Sequence, residues 1–123
     1  MHEFSITSQL VESVIEEAKI KNAKRVLEVH LIIGDLTLLG VSQIRFAYKI
    51  LTQDNIMKGS KLYIRHKKGK IRCGHCGYRG DIVFKDDPVY HISFPTLTCP
   101  KCNSNVEVVQ GKECVIKSIR MYV

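Results

Sequence analysis

Near the N-terminus, apolar residues recur at three- and four-residue steps: Leu10, Val11, Val14, Ile15 and Ala18. That spacing gathers them on one face of a helix, predicted over residues 5 to 21. Glu12, Glu16, Glu17 and Lys19 take the rest of its surface. Ser5 or Thr7 is the expected N-cap, because either hydroxyl can accept from a first-turn amide. Between residues 24 and 33 the period shortens to two. Leu27, Val29, Leu31 and Ile33 then point one way, and Val26, Glu28, His30 and Ile32 the other, as in a strand with one buried face. Gly34 ends it. A second helix is predicted over 41 to 54, with Val41, Ile44, Ala47, Tyr48 and Leu51 as its apolar stripe. Asn55 and Gly59 mark the following turn. Residues 61 to 67 read as a second strand with Leu62 and Ile64 inward. Residues 113 to 123 read as a last strand, in which Val115, Ile119, Met121 and Val123 alternate.

From 69 to 110 this regularity breaks down. Gly, Cys, Pro and Asn are frequent, and only short β segments such as Ile82-Val-Phe and Val106-Glu-Val-Val stand out. The alternating C-terminal strand needs a sheet to join, and the cysteine-rich stretch is too small to offer a good one. The strand is therefore expected to return to the N-terminal sheet. The layout is nested: residues 1–68 and 111–123 form one domain, and 69–110 an insertion.

The insertion carries the chemistry. Cys73-Gly-His-Cys76 and Cys99-Pro-Lys-Cys102 flank 22 residues. Each Cys-x-x-Cys forms a tight turn that aims two sulfurs at one point, and two facing turns make the tetrahedron of thiolates that suits zinc. About 42 residues with few large apolar side chains bury too little surface to fold alone. A structural Zn(II) supplies the difference. Cys73, Cys76, Cys99 and Cys102 are the predicted zinc ligands. The fold class follows as α+β: a three-stranded sheet with two helices, plus an inserted zinc-ribbon-like β module.

Three rival readings exist for these cysteines. A disulfide oxidoreductase needs a helix start after its Cys-x-x-Cys, and Gly77-Tyr-Arg-Gly80 is poor helix. Rubredoxin-like iron uses similar turns and would colour the protein red. His75 or His91 could replace a sulfur, which a complete set of four makes unnecessary. The fifth cysteine, Cys114, lies in a strand and reads as a small buried hydrophobe.

Composition narrows the class. The chain has 123 residues, 45% hydrophobic and 25% charged, ordinary for a globular protein of one domain or two very small ones. No apolar run reaches the ~18–20 residues that span a bilayer. Met1-His-Glu-Phe lacks the basic start and apolar stretch of a secretory signal. A reducing cytoplasm is expected, where cysteines bind metals more often than they pair as disulfides. The net charge is +7, and much of the excess lies from Arg65 to Arg72. That stretch fits a solvated edge strand kept from aggregating by its lysines, or an alternative function as a zinc-ribbon module that binds nucleic acid. A closed shell of four cysteines leaves no open position for water or substrate. With no Ser/His/Asp set and no phosphate loop either, the chain is not read as an enzyme.

The N-terminus offers a second metal chemistry. The terminal amine, the His2 amide nitrogen and the His2 imidazole can close adjacent chelate rings around one ion. Ni(II) and Cu(II) favour such planar nitrogen coordination and can displace the amide proton. On this chemistry alone an ordinary surface histidine remains the commoner reading.

Met1-His2-Glu3 leading into an amphipathic helix, a strand ending in Ile-Gly, a second helix, a two-knuckle zinc insertion and a closing strand together resemble the HypA family. Its members are nickel metallochaperones of nickel–iron hydrogenase maturation. The resemblance covers the whole chain. It implies a Ni(II) cargo site at Met1, His2 and Glu3, built on the His2 imidazole and backbone nitrogens with Glu3 nearby. It implies a zinc site that is structural or regulatory. It further implies delivery with a nickel-insertion GTPase (HypB-like) to the [NiFe]-hydrogenase large subunit, with neither a membrane nor nucleic acid as partner. Asp35, just after Gly34, fits either an extra nickel ligand or a turn residue. Members differ between the knuckles, where this chain holds Phe84-Lys-Asp-Asp-Pro88 and His91-Ile-Ser-Phe-Pro95.

Overall fold

The computed structural model describes residues 2–87 and 92–123. Met1 and His91, both considered above as metal ligands, lie outside the described residues, as does the middle of the segment from Phe84 to Pro95. In chain order the elements are α1 (His2–Ile20), β1 (Arg25–Gly34), a 3-10 turn (Asp35–Thr37), α2 (Val41–Leu51), β2 (Lys61–Lys67), β3 (Lys70–Arg72), β4 (Arg79–Asp81), β5 (Val83–Asp87), β6 (Ile92–Thr96), β7 (Glu107–Gln110) and β8 (Cys114–Tyr122). The chain divides into two compact units.

The first unit comprises residues 1–33, 38–65 and 114–123. Its sheet has the order β2-β1-β8, so the closing strand does return to the N-terminal sheet and pairs antiparallel with β1. Leu10, Val11, Val14 and Ala18 from α1 meet Ile44 and Tyr48 from α2 and Val29, Leu31 and Ile33 from β1 in one apolar core. Burying each such side chain is worth about 1.5–3 kcal/mol.

Strand faces differ from a strict period of two. Val26, rather than Leu27, is buried with Val29, Leu31 and Ile33. The cause is a bulge: Val26 pairs with Met121 and Glu28 with Arg120, so Leu27 is the extra residue. A second irregularity lies in β8, where His30 pairs with Ser118 and Leu31 with Ile116. Lys117 is skipped, and the core side of β8 becomes Cys114, Ile116, Ile119 and Met121. Val115 and Val123, expected inward, are exposed.

Helix limits also shift. α1 begins at His2, three residues earlier than the apolar pattern implied, so neither Ser5 nor Thr7 caps it. Thr7 is fully buried in the helix interior, and its hydroxyl donates to the Glu3 carbonyl at 2.6 Å. α2 stops at Leu51 rather than 54 because side chains take its last carbonyls: Thr52 Oγ1 donates to Tyr48 O at 2.8 Å and Asn55 Nδ2 to Leu51 O at 2.8 Å.

The second unit comprises residues 34–37 and 66–113. It holds a three-stranded sheet, order β4-β3-β7, and the β5-β6 pair. The 3-10 turn is tied into it by main-chain bonds: Gly34 N–H donates to Glu113 O at 2.7 Å and Leu36 N–H to Gly111 O at 2.8 Å. Gly111 has φ +110°, and a β-carbon there would lie 2.6 Å from Gly69 Cα. Glycine is required on both counts.

Candidate metal centres

The two Cys-x-x-Cys turns have the same backbone. In the first, Cys73 N–H donates to Tyr78 O at 2.7 Å and Gly77 N–H returns to Cys73 O at 3.0 Å. In the second, Cys99 N–H donates to Ser104 O at 2.8 Å and Asn103 N–H returns to Cys99 O at 2.9 Å. The residue after each second cysteine is left-handed, Gly77 at φ +76° and Asn103 at φ +60°. Glycine and asparagine are the residues that tolerate this region. Asn103 was passed over in the sequence, and its offset from Cys102, equal to that of Gly77 from Cys76, was the signal.

These turns bring the four predicted sulfurs together. Cys73 Sγ lies 3.5 Å from Cys102 Sγ, and Cys76 Sγ 3.5 Å from Cys99 Sγ. All four ligand atoms fall within 4.8 Å of one another. A tetrahedron with metal–sulfur bonds of about 2.3 Å has sulfur–sulfur edges of about 3.8 Å, so the cluster fits a structural zinc ion. The Cys76 amide points at Cys73 Sγ (3.5 Å) and the Lys101 amide at Cys99 Sγ (3.4 Å). Cys73 and Cys99 are buried, whereas Cys76 is exposed. His75 is exposed and stands outside the sulfur set.

Cys102 and Cys76 are shifted in opposite directions. The Ser104 hydroxyl, with the Ser104 amide, pulls Cys102 down to about 6. At Cys76 the Tyr78 amide acts downward, but the crowding sulfur of Cys99, with lesser desolvation and the Cys73 and Cys102 sulfurs, outweighs it and pushes the thiol up to about 12. Crowded sulfurs cannot all carry charge unless a cation joins them. Ser104 was not singled out in the sequence, and nothing in its neighbourhood there marks it.

The N-terminal residues sit in the first unit. His2 is exposed on the first turn of α1. Glu3 is half-buried, and its Oε2 accepts from the Gly40 amide at 3.1 Å, which ties the start of α1 to the start of α2. Its own amide, then the Gly40 amide, hold the Glu3 carboxyl at about 2, well below the usual range. Gly40 is a further residue the sequence did not reveal, because its role depends on a contact 37 positions away. Asp35 sits in the second unit, where Oδ2 accepts from the Gly69 amide at 3.4 Å and Oδ1 lies 4.0 Å from His66 Nδ1.

The basic run from Arg65 to Arg72 does not form one free surface. Lys70 lies 3.9 Å from Asp81, and Arg72 meets Glu107 at 2.6 Å. Among the described residues no helix is long and apolar enough to cross a membrane.

Residues 1–121 match the family model described as HypA, hydrogenase/urease nickel incorporation, metallochaperone. A hydrogenase maturation factor HypA from Methanocella arvoryzae is 33% identical over 123 residues, covering 100% of both chains. The same-named factor from Methanopyrus kandleri is 36% identical over 135 residues, covering 100% of this chain and 94% of its own. A solution structure of a HypA protein matches with TM-score 0.68 and 27% identity, covering 98% of this chain and 96% of that one. The solution structure of the nickel metallochaperone HypA from Helicobacter pylori shares the fold, with TM-score 0.64 at 24% identity, covering 98% and 97%.

Proposed function

Because this chain belongs to the HypA family, metallochaperones of hydrogenase and urease nickel incorporation and not enzymes, we propose that it binds Ni(II) at its own N-terminus. The ligands are the terminal amine of Met1 and the amide nitrogen and imidazole of His2, with Glu3 nearby completing the site. It then delivers the ion, with a HypB-like GTPase, to the [NiFe]-hydrogenase large subunit in the cytoplasm. Residues 1–68 and 111–123 act as the nickel-binding domain. Residues 69–110 act as the inserted zinc-binding domain, with Cys73, Cys76, Cys99 and Cys102 holding a structural zinc.

One observation carries the nickel assignment: α1 begins at His2. The first amides of a helix have no acceptor within it, so metal binding at the His2 nitrogen breaks no intrahelical bond. Glu3 is anchored to Gly40, which holds the chelating residues against folded structure. Planar nitrogen coordination favours Ni(II) over Zn(II), which has no such geometric preference. The amide and imidazole must lose protons to bind, so loading strengthens as pH rises. Asp35 is better explained as a turn residue, since its carboxylate already accepts from Gly69.

The test is metal content after equilibration with nickel. The intact chain takes up roughly one nickel beside one zinc. His2→Ala abolishes nickel uptake and leaves zinc in place, and residues added before Met1 weaken nickel by displacing the amine. Full nickel affinity in His2→Ala overturns the site.

A further inference from the structure

One face of the first unit's sheet packs on the core. The other carries an ordered set of charges and rings. On β2, Lys61, Tyr63 and Arg65 alternate with Leu62 and Ile64 and are exposed. On β1 and β8 the paired positions Arg25–Tyr122, Glu28–Arg120 and His30–Ser118 share this side. Lys61, Arg65, Arg25 and Arg120 thus stand on one surface, and Glu28 is the carboxylate among them. Arg120 lies 3.9 Å from Glu28 and is 70% exposed. At the far end the Ile32–Val115 pair adds an apolar border.

We propose that this outer sheet face, Lys61, Tyr63, Arg65, Arg25 and Arg120, is the docking surface for a protein partner that presents a carboxylate-rich patch. Charge complementarity identifies the partner class. Cations spaced by the sheet's own geometry attract a matching array of carboxylates and speed encounter. The rings argue against a nucleic acid. Base stacking needs open aromatic faces, and one face of Tyr63 is already covered by His30, with centroids 4.9 Å apart and planes at 14°. Tyr122 is approached by Lys24 at 5.6 Å and Arg25 at 5.7 Å. Those rings serve to hold the cations and the sheet surface in place. The inference is independent of where nickel binds, since none of these residues is among the proposed nickel or zinc ligands.

The experiment measures fluorescence anisotropy of the zinc-loaded full chain with two labelled probes, an octaglutamate peptide and an oligothymidine of equal length. Binding is compared for the wild type, for Lys61→Glu/Arg65→Glu, and for Lys49→Glu/Lys58→Glu, which changes the net charge equally away from the face. The peptide is expected to bind the wild type and the Lys49/Lys58 variant alike. It should bind the Lys61/Arg65 variant about tenfold or more weakly, with the difference shrinking as salt rises. Circular dichroism melts establish that each variant is folded, and Lys61→Gln/Arg65→Gln replaces a variant that is not. Equal weakening by both charge reversals overturns the proposal, because bulk charge then explains binding. Tighter binding of the oligothymidine than of the peptide overturns it in favour of a nucleic acid.

Discussion

Removing zinc should unfold the second unit and leave the first intact. The magnitudes make the expectation asymmetric. In the second unit, outside residues 83–96, Ile71 and Ile82 are the buried large aliphatic side chains, joined by Cys73 and Cys99. Each isoleucine contributes about 1.5–3 kcal/mol. A structural zinc contributes about 10–16 kcal/mol in small zinc peptides, so the metal outweighs these two side chains about two- to fivefold. The first unit has its own core of Leu31, Ile33, Ile44, Met57 and their neighbours. Hydrogen exchange before and after chelation reads both units at once. The amides of Cys73, Gly77, Cys99 and Asn103, whose bonds define the two knuckles, should lose nearly all protection. Amides of the β1–β8 ladder should keep theirs. A chelated, metal-free chain whose Cys73 and Cys99 amides stay protected would refute the reasoning. It would mean that the insertion folds on apolar contacts that zinc only decorates.

Two further outcomes follow from particular residues. Gly111→Ala forces a side chain into a left-handed conformation and against the Gly69 backbone; strain alone costs about 1–3 kcal/mol, and urea unfolding should show at least that loss. Glu3 has a carboxyl depressed from 4.5 to about 2, so its contribution is present above about pH 4.5 and is lost as pH falls toward 2. In nickel-free protein, the melting difference between wild type and Glu3→Gln should therefore be constant near neutrality and close across that window.

What could be read along the chain was whatever is decided locally. The cysteine spacing encodes two self-contained turns, and each is complete within six residues, from Cys73 to Tyr78 and from Cys99 to Ser104. The helical stripes of α1 and α2 are likewise local, and so is the alternation that sent β8 back to the first sheet. The faces of β1 and β8 were misjudged because parity survives only until a bulge. The bulges at Leu27 and Lys117 are features of strand pairing, which no single strand declares. Each shifts the inward side by one residue, enough to bury Val26 in place of Leu27 and to expose Val115. The start of α1 was missed for a related reason. The apolar stripe begins only where the helix meets the core, while its first turn is held by a bond from Gly40, 37 positions on.

The same distinction bears on function. The zinc site is built from local turns, and it was legible. The proposed N-terminal site would be a chelate whose donors are equally local, since an amine, an amide and an imidazole on two adjacent residues need no fold to meet. What the fold adds there is anchorage. A chelating tripeptide on a loose chain end would bind any nitrogen-seeking cation and pass it to any receiver. Here Glu3 is tied to the start of α2. In the proposed site the Glu3–Gly40 bond would be the step that gives generic peptide chemistry an orientation. Its loss in Glu3→Ala, which removes the acceptor for the Gly40 amide, should slow transfer to an acceptor more than it weakens nickel binding, a difference that stopped-flow transfer to a colorimetric chelator and equilibrium titration can separate. If both change in equal measure, Glu3 is a ligand and the anchoring role falls.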